Sequence, residues 1–143
     1  MTVDRRIRHG VAVVLSVVGT GLSGCSDAGP ATHAVSGQVV PTGGPADQLA
    51  GHLVEIVSTT DPTVRSSGVI EANGRFRLET LDEGKVHSGA RAGTYPARLL
   101  LLDEGDGVAK RPKVPRRYLD TKTSGWSVQV PADGDLKLNL TAN

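Results

Sequence analysis

A chain of 143 residues with 38% hydrophobic content, 18 glycines and 8 prolines has room for one small domain and suits short strands joined by turns. Its formal charge of +1 supplies no field that would draw nucleic acid, and its single cysteine excludes an internal disulfide. Three of the 16 Lys and Arg and one of the 15 acids precede that cysteine, so the rest of the chain is nearly neutral.

The first stretch reads as an address. Arg5, Arg6 and Arg8 make a positive start, and the uncharged run from Val11 to Leu22 follows. That run matches the apolar core of a signal peptide and falls well short of the roughly 20 residues that span a bilayer. It ends in Leu22-Ser23-Gly24-Cys25. An ordinary cleavage site before Cys25 would want a small residue where Leu22 stands. The four residues resemble the bacterial lipobox. The resemblance implies removal of residues 1–24, a diacylglycerol thioether on Cys25 and, commonly, acylation of the new amino terminus. Two or more acyl chains would anchor the protein stably, at about 0.8 kcal/mol per buried CH₂. Residues 25–34 lack apolar periodicity and read as a lipidated flexible tether.

Residues 35–143 read as strands divided by turn residues. Val35 to Val40 is the first, broken at Pro41-Thr-Gly-Gly-Pro45. His52 to Ser58 is the second, with Val54 and Ile56 on one face and Glu55 on the other; Leu53 and Val57 share Glu55's side, so the pattern favours Val54 and Ile56 inward without fixing it. Ser67 to Ala72 leads to Asn73-Gly74, and Arg75-Phe-Arg-Leu-Glu79 alternates cleanly, with Phe76 and Leu78 facing the core. Asn73-Gly74 predicts a two-residue hairpin turn in which both residues take positive φ. Residues 82–92 read as a glycine-rich loop. Tyr95 to Leu102 is a strand in which Pro96 belongs at an edge or at the start, because it has no N–H to donate. Its four consecutive leucines predict cover on both faces. Trp126 to Val130 and Leu136 to Leu140 close the chain, with Trp126, Val128 and Val130 on a core face. About seven strands and no convincing helix predict an all-β antiparallel β-sandwich.

Val35-Ser-Gly-Gln-Val39, Gly51 followed by Val54 and Ile56, Glu71-Ala-Asn-Gly-Arg-Phe76, and Ala92-Gly-Thr-Tyr95 carry a further likeness. Together they resemble the carboxypeptidase-regulatory-like, or transthyretin-like (prealbumin-like), β-sandwich. The tail, with Val114-Pro-Arg-Arg-Tyr118, resembles small bacterial lipoproteins that carry this domain alone. The resemblance implies a fold and a setting in the cell envelope, and it implies no activity. Two departures stand out: His52 occupies a position where a small residue is usual, and Pro96 interrupts the strand after Tyr95.

Catalytic and metal-binding sets are not supported. His33, His52 and His87 stand in no ligand spacing and read as solvent-facing, so no metal or other cofactor is expected. No G-x-S-x-G elbow is present. Asp103-Glu-Gly-Asp-Gly107 lacks the remaining spacing of a calcium loop and reads as a solvated turn. Lys110, Arg111, Lys113, Arg116 and Arg117 form a proline-broken basic run without an acid, a candidate interaction patch. The reading is therefore a non-enzymatic, exported lipoprotein facing the periplasm or the cell surface. Its partners are the membrane, through Cys25, and an envelope protein or polysaccharide, with no role for nucleic acid. A carbohydrate-binding module is the alternative; it needs Trp126 and Tyr118 exposed on one surface. A hydrolase is the third reading; it needs an enclosed polar pocket around His52 or His87.

Overall fold

Each alternating run places one apolar row on one face of a strand, and burying those rows dictates two facing sheets. The computed structural model describes residues 29–103 and 111–142. Nine strands run through them: β1 (Ser36–Pro41), β2 (Leu53–Val57), β3 (Arg65–Val69), β4 (Arg75–Arg77), β5 (Glu79–Asp82), β6 (Lys85–Ser88), β7 (Gly93–Leu100), β8 (Ser127–Val130) and β9 (Leu136–Leu140). They form a β-sandwich of a three-stranded sheet, β4-β1-β9, and a six-stranded sheet, β6-β5-β3-β2-β7-β8. Val39, Phe76, Leu138 and Leu140 of the small sheet are buried in one apolar cluster with Val54, Ile56, Ala97, Leu99, Val128 and Val130 of the large one. Gly37 in β1 permits this packing, since a Cβ there would come within 2.8 Å of Leu136 and of the Phe76 ring.

The fold class follows the alternation, and the details differ in three places. First, β1 pairs with β9 in parallel, Gly37 opposite Leu136 and Pro41 opposite Leu140, whereas the other strand pairs are antiparallel. Second, the run beginning at Arg75 is two strands. It leaves the small sheet at Leu78, whose N–H donates to the Val35 carbonyl and whose carbonyl accepts from Gly89 N–H. It then joins the large sheet as β5, with Glu79 opposite Ser67. Third, the predicted loop 82–92 contains β6. Glu83 and Gly84 make its two-residue turn with φ of 48° and 77° between paired Asp82 and Lys85. That is the twisted hairpin turn expected at Asn73-Gly74.

At Asn73-Gly74 only glycine has positive φ, at 81°. Gly74 N–H donates to the Glu71 carbonyl and Glu71 N–H to the Arg75 carbonyl, which makes a three-residue loop with a glycine bulge. The Asn73 side chain accepts from Arg75 N–H at 2.9 Å. Pro96 sits where its missing donor costs nothing, because pairing of β7 with β2 stops at Ala97 opposite Ile56. Tyr95 is buried, and its hydroxyl donates to the Arg91 carbonyl at 3.0 Å. The leucine run is buried on one side and half-buried on the other. Leu99 is buried, whereas Leu100 faces outward opposite Leu53, beside Val69 at 58% exposed.

The strand directions give the sandwich two distinct ends. At one, Gly29 and Pro30 line a cleft with Asp82, Glu83, Lys85 and Arg91. There the segment before β1 is docked: His33 exchanges two backbone hydrogen bonds with Ala90, and the Thr32 hydroxyl donates to the Ser88 carbonyl. At the other end lie Pro41, Leu101, Ala142 and the segment 111–116.

Candidate functional site

The prolines of Arg111-Pro-Lys-Val-Pro-Arg116 decide its shape. Residues before proline are pushed toward extended backbone, and proline cannot donate to a ladder. Pro115 accordingly has φ −56° and ψ 133°, and a 3₁₀ turn over Arg116–Leu119 follows. Val114 packs against the core cluster, and Tyr118 is buried in it. Those two side chains pin the segment, which leaves Arg111, Lys113 and Arg116 exposed.

Arg117 has a different job. Its Nη2 donates to the Tyr118 hydroxyl at 2.9 Å, to the Thr141 carbonyl at 3.1 Å and to the Thr141 hydroxyl. Its guanidinium also lies 4.7 Å from the centre of the Tyr118 ring. The Tyr118 hydroxyl accepts from Thr141 N–H at 3.1 Å and lies 2.8 Å from Oγ1 of Thr141. Burial pushes the phenol upward, but the hydrogen bonds from Thr141 and Arg117 and the charge of Arg117 outweigh it, and its pKa falls below the ordinary tyrosine value. The Tyr118 ring packs on Trp126 with centroids 4.7 Å apart, and Trp126 Nε1 donates to the Asn139 carbonyl. Trp126 is half-buried and Tyr118 is 4% exposed. The two rings pack on each other rather than standing side by side on one surface.

Two depressions flank the exposed cations. The smaller, about 80 Å³, lies between Val114 and the Pro41–Leu49 connection. The larger is an open cleft of about 660 Å³ between Arg111, Arg116, Leu101 and Leu119. Among the described residues no acidic side chain lines either one. This arrangement can attract anions by charge; among the described residues it holds no nucleophile and base in contact. Lys110 and Cys25 lie outside the described residues.

The histidines do not share one environment. His33 is exposed and His87 is half-buried. His52, expected to face solvent, is fully buried. Its Nδ1 accepts from Leu102 N–H at 3.1 Å, and Nε2 has no partner. Burial, and then the charge of Arg111, lower its pKa from the ordinary value. His52 is thus a neutral core residue that ties β2 to the end of β7. Among the described residues no group of three His, Cys, Asp or Glu is placed to hold a metal. No described helix is long and apolar enough to cross a membrane.

One polar pair escaped the linear reading. Glu55 is 5% exposed although it points to the outer face of the large sheet. Arg98, opposite it on β7, binds its Oε2 through Nε at 2.7 Å and Nη2 at 2.6 Å. Arg65 Nη1 stands 4.0 Å from the other oxygen. Only the β2–β7 register brings Glu55 and Arg98 together, so no local motif could have flagged them. Compared with protein-family models, curated proteins and solved structures, the chain matches none.

Proposed function

We propose that this chain is an exported bacterial lipoprotein, anchored through Cys25, whose sandwich serves as a non-enzymatic structural or interaction module of the cell envelope. The observation that carries the reading is Leu22-Ser23-Gly24-Cys25 at the end of a charge-free run behind three arginines. The likeness to transthyretin-like domains belongs to the same reading. It is supported by the structural duties of its motif residues: Gly37 under the Phe76 ring, Gly74 in the turn, and Tyr95 bonded to Arg91. An interaction role, rather than catalysis, is favoured because Arg111, Lys113 and Arg116 are exposed along one segment and His52 is sealed in the core. The carbohydrate alternative lacks the exposed aromatic platform it needs, since Tyr118 is buried and Trp126 is packed against it.

The test is metabolic labelling with palmitate followed by membrane fractionation. Label and membrane association should both be lost in Cys25→Ala. Palmitate that survives this substitution would reject the anchor.

A further inference from the structure

Resting on the anchor at Cys25, we infer that Arg111, Lys113 and Arg116 form a docking strip for an extended polyanion, held at the end of the sandwich that points away from the membrane. The polyanion is a polymer carrying repeated phosphate or carboxylate groups, and not the bilayer surface itself.

The direction follows from chain length and strand order. Gly29 already lies in the cleft with Asp82 and Glu83. From Cys25 to Gly29 the chain can reach about 14 Å even when fully extended. The strip lies past the far end of β7, whose 8 residues span about 25 Å at roughly 3.3 Å each. A tether that short lets the sandwich rock but not invert over its anchor. The end held nearest the membrane carries Asp82, Glu83 and Asp135 beside Lys85, Arg91 and Arg75, with Arg91 paired to Asp82 and Arg75 to Asp135, so its charges balance. The strip at the other end is thereby presented to the space beyond.

The class of ligand follows from the strip's shape. Arg111, Lys113 and Arg116 line one open cleft rather than an enclosed pocket. They stand along an extended, proline-framed segment whose five steps cover about 15 Å at roughly 3.1 Å each. A small anion would touch one of them, whereas a polymer with charges along its length can touch all three. Arginine suits phosphate and carboxylate oxygens through its planar fork. Val114 and Tyr118 fix the segment from beneath, so little ordering is left to binding. Arg117, committed to Thr141 and Tyr118, belongs to the support and not to the strip.

Two measurements test this and separate it from the anchor. First, the full chain kept unlipidated by Cys25→Ser is titrated with long-chain inorganic polyphosphate and with polygalacturonate. Binding to at least one is expected, weakening as salt rises, and falling about tenfold or more in Arg111→Glu/Lys113→Glu/Arg116→Glu. An unaltered melting temperature in that variant shows that the fold is intact. Absence of binding to both polymers, or equal binding by the variant, overturns the strip. Second, the lipidated chain is placed in vesicles bearing headgroup nitroxides, with a fluorophore at Lys85→Cys or at Gly43→Cys. Strong quenching at residue 85 and weak quenching at residue 43 is expected; equal quenching overturns the orientation. Failure to associate with vesicles rejects the anchor, and the polymer titration still decides the strip. Tighter binding to phosphatidylglycerol vesicles than to either polymer assigns the strip to the bilayer and overturns the proposal.

Discussion

His52 and Arg117 show how one residue can carry a duty that its type does not announce. His52 is buried as a neutral ring, so its protonation is opposed in the folded state. Its folded pKa lies below the ordinary 6.5 that the unfolded chain retains. Its contribution is therefore fully present above pH 6.5 and is lost as pH falls through the folded value. Asp61 and Asp135, held below 3.8 chiefly by hydrogen bonds from Thr63 and from Ser36, act only at lower pH. Urea midpoints should thus fall between pH 7 and pH 5 in the parent chain and fall less in His52→Asn, which keeps an acceptor for Leu102 N–H. An equal fall in both would assign the loss elsewhere.

The basic run divides in the same way. Arg116 is exposed, and truncating it to alanine should change stability by no more than about 0.5 kcal/mol. Arg117→Ala should cost about 1–2 kcal/mol, because it removes donors from the Tyr118 hydroxyl and from Thr141. Chemical denaturation of the two variants checks the difference. In the sequence all five cations look alike. What separates Arg117 from Arg116 is proximity to Thr141, a residue 24 positions from Arg117, and no local pattern encodes that.

Elements were legible wherever one face is apolar. Phe76 with Leu78, and Leu138 with Leu140, betray their strands because alternation and burial coincide. β6 and the end of β5 were not legible, since their outward residues Leu81 and Val86 stay 69% and 64% exposed and their inward positions are polar. The turn chemistry was misplaced for a related reason. Asn73-Gly74 fits the two-residue hairpin, yet the strands on either side separate into different sheets, and a looser three-residue loop serves that departure. The consequence is measurable. Gly74→Val should destabilise by about 2–3 kcal/mol, since φ is 81° and a Cβ would come within 2.7 Å of the Val39 carbonyl. Asn73→Val should cost only about 1 kcal/mol, the worth of the lost bond to Arg75 N–H. Equal losses in thermal or urea melts would restore the two-residue turn.

At the scale of the whole molecule the sequence yields the class of fold and the order of its parts, but not their placement. It reads as an address, a tether and a sandwich, of which the structure bears out the sandwich, and it names the cations. It cannot tell that β1 and β9 run in parallel, and hence which turns gather at which end. That pairing puts Pro41 opposite Leu140 and so Ala142 beside the proline-framed cations, while the His33–Ala90 bridge sets the segment from Gly29 against β6 and the Glu83-Gly84 turn. The result is a sandwich with two distinct ends, and the proposed polarity, one end anchored and the other presenting, depends on Cys25. Mass spectrometry of the protein extracted from native membranes tests it most directly. The account predicts an amino-terminal peptide that starts at Cys25 and carries a thioether-linked diacylglycerol. A mature chain that starts elsewhere, or one that starts at an unmodified Cys25, would contradict it.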